Sequence, residues 1–267
     1  MEFVGIGHGH VLLDWYRFLI AERPDWLFWE CAYHLWGPLV ELAKLAGVRT
    51  IFATGCDLDV HPRQYRFHKS QYWRLYAWGL ARTDKIFVQH AGQLSGLCPR
   101  WLPKTSILPK VCMFGTDGCA PVKLQPHAQR SNYVAWVGTL VQFKRPDILL
   151  EIARRATATR FVVCGGASSS PPEYGERIAD QLRAMPNIEY LGQVPPDKAQ
   201  RVIESASILL CTSDIEGFPN TFVQAWSSGT PVVSLKVDPD YIISQSGLGT
   251  VSGDMSKALE DIAVLMA

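Results

Sequence analysis

Ser207-Ile-Leu-Leu-Cys-Thr-Ser-Asp-Ile-Glu216-Gly-Phe-Pro-Asn220-Thr-Phe-Val-Gln224-Ala-Trp-Ser-Ser-Gly229-Thr-Pro-Val-Val-Ser234 reads as a buried strand, an acidic glycine-bearing loop, a helix and a second buried strand. Continuous apolar runs on either side of a helix predict parallel strands covered on both faces. The loop aims a helix N-terminus at whatever lies beyond the strand ends. The first amides of a helix lack intrahelical acceptors and the dipole adds roughly half a positive charge, so an anion is favoured there. Glu216 and Gln224, eight residues apart, bracket that position. Gln224 lies about one turn inside the helix, and helical side chains lean toward the N-terminus, so its amide reaches back over the loop.

The same alternation extends outward from this stretch. Strands are predicted at Val134 to Gly138, Arg160 to Cys164, Ile188 to Gly192, Ser207 to Cys211 and Pro231 to Leu235, with four helices between them. The first helix opens at Pro146, a residue suited to the first helical position, and ends in Arg154-Arg155, where cations complement the dipole. The others are Pro172 to Met185, Pro196 to Ala206 and Asn220 to Ser228, after which Gly229 supplies a left-handed turn into the next strand. The first half carries a looser version: strands at Trp26 to Trp29, Arg49 to Ala53, Lys85 to Val88 and Ser106 to Leu108, and helices at Pro38 to Ala46 and within Arg63 to Ala81. A helix-like Met255 to Met266 closes the chain. Val111 to Arg130 has glycines and prolines with little periodicity and is the expected linker, giving domains at 1–120 and 131–267.

With 267 residues there is room for two cores. Lysine and arginine total 26 against 25 acidic residues, so bulk charge gives no argument for nucleic acid. Seven scattered cysteines without a C-x-x-C pair disfavour a disulfide framework and a zinc site, and suit a reducing cytoplasm. No apolar run reaches the roughly 18 residues that span a bilayer, so a soluble or peripherally bound chain is expected.

Three blocks carry a further signal: Trp136-Val-Gly-Thr-Leu-Val-Gln-Phe-Lys144-Arg-Pro-Asp147, then Phe161-Val-Val-Cys-Gly165-Gly166, then Glu216-Gly-Phe-Pro-Asn-Thr-Phe-Val-Gln224 with Gly-Thr-Pro-Val-Val after it. In this order they resemble retaining, nucleotide-sugar-dependent glycosyltransferases of the GT-B fold, the group called glycosyltransferases group 1. Arg23-Pro-Asp25 and Ala53-Thr-Gly-Cys-Asp57 resemble the family's cleft-facing strand ends more weakly. The resemblance implies an α/β protein of two Rossmann-like domains facing across a cleft, the first incomplete here. It implies a UDP- or GDP-type donor held by the second domain, a glycan or lipid-linked acceptor, no metal and no cofactor. Lys144 and the backbone at Gly217 and Phe218 would clamp the diphosphate, near Gly138, Thr139, Pro219 and Asn220. Glu216 would contact the transferred sugar or stabilise charge at the reacting carbon, and Gln224 would hold the ribose. Gly165 and Gly166 would admit the nucleotide, and Val194 would meet the base through its backbone.

Two departures stand out. The family usually has glutamate where Gln224 stands, and an amide can still bond a hydroxyl but carries no charge. Arginine is common where Thr139 stands, so one phosphate cation is absent unless Arg145 or the first half supplies it. The family's opening strand with its glycine-rich loop and its closing helix are not recognisable, so the chain reads as truncated. A degenerate nucleotide-binding protein and a sugar-nucleotide epimerase on the same fold remain as alternatives.

Other motifs keep two readings. Gly5-Ile-Gly-His8-Gly-His10 has the wrong glycine spacing for a dinucleotide fingerprint, and two histidines alone do not make a metal site. Asp57, Asp59 and His61 follow a strand and are either acceptor-side groups or turn formers. Arg63 to Trp78 mixes cations with aromatic rings: either a helix packed on its sheet, or a peripheral contact with anionic lipid at the inner face of a membrane.

Overall fold

Each run of alternating strands and helices closes on its own core. The chain divides into two units, Met1–Pro109 and Lys110–Ala267. The computed structural model describes residues 11–64, 71–109, 126, 130–167 and 172–267. The Gly5 to His10 motif, residues 65–70 of the basic aromatic segment and nearly all of the expected linker lie outside the described residues.

In the first unit, β1 (Trp26–Glu30), β2 (Arg49–Ala53), β3 (Lys85–Val88) and β4 (Thr105–Ile107) form a parallel sheet in chain order. Its helices are α1 (Val11–Glu22), α2 (Trp36–Leu45), α3 (Tyr72–Arg82) and the short α4 (Ala91–Gly96). Neither α1 nor α4 was expected. Wholly buried Trp36, Phe52 and Tyr76 meet edge-on or tilted, with ring centroids 5.8 and 5.7 Å apart. Two glycines bring α2 and α3 together. A Cβ at Gly79 would lie 2.6 Å from the Gly37 nitrogen, and one at Gly37 would lie 2.4 Å from the Leu75 carbonyl oxygen, so a side chain at either position drives the helices apart. The rings of the basic aromatic segment divide accordingly: Tyr76 is in the core, while Trp78 is 42% exposed.

In the second unit the order is β10-β9-β8-β5-β6-β7, all parallel. The strands are β5 (Ser131–Val137), β6 (Phe161–Cys164), β7 (Ile188–Gly192), β8 (Ala206–Cys211), β9 (Val232–Ser234) and β10 (Gly249–Val251). The helices are α5 (Pro146–Arg155), α6 (Pro172–Ala184), α7 (Pro196–Ser205), α8 (Asn220–Ser227), α9 (Ile242–Ser246) and α10 (Met255–Met266). Proline opens α5, α6 and α7, as the sequence predicts, and Gly229 turns the chain with φ at +74°. β10 and α9 were not expected. Every residue of β8 is buried, and Leu149, Ile152, Phe161 and Ile208 are wholly enclosed, each contributing roughly 1.5–3 kcal/mol. Strand order reverses between β5 and β8, and in such sheets ligands bind beyond the carboxyl ends of the strands at the reversal. Among the described residues no helix is long and apolar enough to cross a membrane.

Candidate functional site

The two strands that flank the reversal send their loops to the same place. After β5 the chain runs through Gly138 and Thr139 into a single 3₁₀ turn, Gln142–Lys144, and then α5. After β8 it runs from Thr212 to Pro219 and then α8. The Thr212 hydroxyl donates to the Lys144 carbonyl at 2.6 Å and accepts the Trp136 indole N–H at 2.9 Å. The Asp214 amide donates to the Phe143 carbonyl at 2.7 Å. Lys144 Nζ donates to Glu216 Oε1 at 2.5 Å, and the Ser213 hydroxyl donates to the same oxygen at 2.8 Å. Lys144 and Glu216, 72 residues apart in sequence, are thus an ion pair, their side chains 23% and 15% exposed. Trp136 also lies beneath the glycine turns, 3.4 Å from where a Cβ on Gly138 would stand and 3.5 Å from one on Gly165. Trp136, Thr212 and Ser213 were not singled out in the sequence; for Trp136 and Thr212, nothing local marks partners 68 and 76 residues away.

Arg145, the candidate to replace the missing phosphate cation, is engaged by two carboxylates. Its backbone is left-handed, with φ at +51°, and its guanidinium is spent on Asp147 at 2.8 Å and Asp214 at 3.2 Å. These carboxylates raise the arginine's pKa further, the Asp147 bond contributing most. Asp214 also takes Lys236 Nζ at 2.5 Å. Burial pushes the Asp214 carboxyl up, but bonds and charge from Lys236 and Arg145 outweigh that and hold it below the usual carboxylate range. This cluster braces the loop beside Glu216.

The turns after β5, β6 and β7 enclose a cavity of about 270 Å³, lined by Gly138, Thr139, Gly165, Gly166, Gln193 and Val194 among others. Five of these were expected donor residues. Gly165 is there because nothing larger fits: a Cβ would lie 1.9 Å from the Gly138 carbonyl oxygen. Its amide donates to the Gly192 carbonyl at 2.8 Å, and its carbonyl accepts the Tyr190 hydroxyl at 2.7 Å. Gln193 is an addition to the expected set.

Helix α8 starts behind Gly217, Phe218 and Pro219. Pro219 is the N-cap and has no side-chain acceptor to give the first amides. Gly217 and Pro219 are buried and Asn220 is exposed. Gln224 is half-buried on α8, and its backbone carbonyl takes the Ser227 and Ser228 hydroxyls at 2.9 and 2.8 Å. It is not among the described residues that line the 270 Å³ cavity.

The three candidates of the first unit separate. Asp59 is 1% exposed and accepts the amides of Gly55 at 2.6 Å, Cys56 at 3.1 Å and Ala32 at 3.3 Å. Its carboxylate holds the loop after β2, which corrects the acceptor-side reading of this residue. Burial raises its pKa against the pull of those amides, and pushes the adjoining Cys56 thiol up to about 12. Asp57 remains accessible, its side chain 47% exposed, with Oδ1 2.8 Å from His90 Nε2 and 2.9 Å from Gln93 Nε2. His61 lines a separate, larger cavity of the same unit.

A sequence profile of the family described as Glycosyl transferases group 1 matches residues 131–266. A D-inositol 3-phosphate glycosyltransferase of Corynebacterium aurimucosum is 35% identical over 119 residues, which are 40% of this chain and 27% of that protein. The enzyme of the same name in Mycobacterium leprae is 34% identical over 109 residues, 40% of this chain and 26% of its own. The match therefore spans about a quarter of these curated relatives. Among solved structures, Anabaena HepE in complex with UDP and glucose aligns with a TM-score of 0.73 at 14% identity, covering 97% of this chain and 73% of that one. A variant of S. aureus TarM in complex with fondaparinux, alpha-GlcNAc-glycerol and UDP aligns with a TM-score of 0.70 at 16% identity, covering 96% and 52%. At such identities the likeness shows the fold, which is that of the GT-B glycosyltransferases.

Proposed function

Since the chain belongs to the glycosyl transferases group 1 family, we propose that it takes part in moving a sugar from a nucleoside diphosphate donor to a hydroxyl acceptor, with retained anomeric configuration. The observation that carries this reading is the convergence of the β5 and β8 loops at the strand-order reversal, with Lys144 and Glu216 in contact there. The nucleoside would enter the cavity between Gly138, Gly165 and Val194. The diphosphate would lie toward the start of α8, where amides and dipole favour anions. On its arrival the Lys144 ammonium exchanges a carboxylate partner for a phosphate, so its charge stays matched. Glu216 is released toward the sugar.

The anomeric C–O bond breaks and its electron pair leaves with the phosphate, whose charge Lys144 and the helix stabilise. The acceptor oxygen bonds to the carbon on the same face, and its proton passes to the leaving phosphate. A lysine and a helix N-terminus thereby do the work that a metal ion does at other leaving groups, so the reaction is metal-independent in this reading. The acceptor is a glycan or lipid-linked hydroxyl of glycoconjugate synthesis, on the cytoplasmic side of a membrane. Lys144→Ala should lower turnover by on the order of a hundredfold, the loss expected for one preorganised charge-stabilising donor. Unchanged turnover removes Lys144 from the mechanism.

One observation favours a second reading, a nucleotide-sugar-binding protein without turnover. Thr139 brings no charge, and Arg145 is committed to Asp147 and Asp214. Calorimetry with UDP and GDP beside a donor-hydrolysis and transfer assay separates the two: binding with neither hydrolysis nor transfer supports it.

A further inference from the structure

The first unit contains a cavity of about 570 Å³ between the loop after β2, helix α3 and the turn Pro99–Lys104. That is within the roughly 300–1,000 Å³ of small-molecule sites. The indoles of Trp73, Trp78 and Trp101 line it, and so do His61, Arg63 and Arg100, while no carboxylate is among the described residues that do. Arg63 lies over the Trp73 ring, 5.4 Å from its centroid. Both arginines are exposed. Trp101 is 8% exposed, and its indole N–H has no acceptor among the described residues.

These features select a ligand by elimination. Three indoles make poor company for a small hydrated anion and good company for hydrocarbon. Two guanidiniums and a histidine, with no acid among the described lining residues, disfavour cationic heads and suit a phosphate, which a guanidinium grips through paired bonds. We propose that this cavity binds an anionic amphiphile, a single hydrocarbon chain lying among the indoles with its phosphate head held by Arg63 and Arg100. The occupant is one molecule in a concave site rather than the face of a bilayer. The assignment goes beyond the donor reading and does not depend on it.

The test is titration of the full chain with dodecyl phosphate below its micelle concentration, followed by tryptophan fluorescence and calorimetry, beside dodecyl maltoside and inorganic phosphate. Saturable single-site binding of dodecyl phosphate is expected, with both controls weaker by about tenfold or more. Arg63→Gln combined with Arg100→Gln should cost about tenfold or more as well, while leaving nucleoside diphosphate binding intact. Equal binding of dodecyl maltoside, or undiminished binding by the double arginine variant, overturns the proposal. Binding to phosphatidylglycerol vesicles with none to monomeric dodecyl phosphate also overturns it, in favour of a membrane-surface contact. Amphiphile binding with no UDP or GDP binding would sink the donor reading and leave this site standing.

Discussion

Gly165→Ala and Gly166→Ala are chemically the same change at adjacent residues, and the structure sets them far apart. At Gly165 the new methyl would lie 1.9 Å from the Gly138 carbonyl oxygen, and separations under 3.0 Å are essentially never seen, so the backbone must retreat by about one ångström. Gly165 is not among the positive-φ residues, so the cost is steric. The retreat acts on the turns after β5 and β6, where the Gly138 amide meets the Cys164 carbonyl at 3.0 Å and the Gly165 amide meets Gly192 at 2.8 Å. Overpacking of this kind costs about 1–3 kcal/mol, and straining one of those bonds adds up to about 1 kcal/mol. A total near 2–3 kcal/mol lowers the melting midpoint of a unit this size by about 4–12 °C. The cavity wall moves too, and misplacement by about one ångström costs on the order of a hundredfold in turnover. At Gly166 the nearest atoms are Gln193 Cβ and Oε1, both 3.1 Å away; the exposed amide can turn aside, and the Cβ need yield only a few tenths of an ångström. Gly166→Ala should cost about 0.5 kcal/mol or less. Thermal unfolding and UDP or GDP calorimetry on both variants decide the matter. Equal destabilisation, or a reversed order, refutes the packing argument.

Thr212→Val keeps the shape but removes the hydroxyl between the Trp136 indole and the Lys144 carbonyl; leaving the buried indole N–H unmatched should cost about 1–3 kcal/mol and weaken donor binding, measured by denaturant melts and calorimetry. Asp214 predicts a pH dependence. Its folded pKa is depressed, so its contribution is fully present above the unfolded carboxylate value of about 4 and is lost as pH falls through the lower folded value. Asp214→Asn should flatten the acid side of the melting-midpoint profile, and a profile parallel to the parent's would show that the cluster adds nothing.

The second unit was legible because its signals are local. β8 is apolar but for Ser207, prolines mark three helix starts, and Gly229 sits where a left-handed turn is needed. What escaped were elements too short or too plain to signal: β10 with three half-buried residues, α4 with six, and α1, whose sequence offers no proline or capping pattern. The glycines, Lys144 and Glu216 could be named from their motifs. Their contacts could not, since the Thr212 hydroxyl reaches partners 68 and 76 residues away. Asp59 shows the opposite failure. An aspartate after a strand looks accessible in sequence, yet Ala32, brought in from 27 residues upstream, helps to close the loop over it.

The most direct measurement is a crystal structure of the chain soaked with a UDP- or GDP-sugar. Diphosphate oxygens within hydrogen-bonding reach of Lys144 Nζ and the amides of Phe218 and Asn220, with the Lys144–Glu216 pair opened and the nucleoside against Gly165, is the predicted result. Nucleotide bound elsewhere, with that pair still closed, would contradict the account.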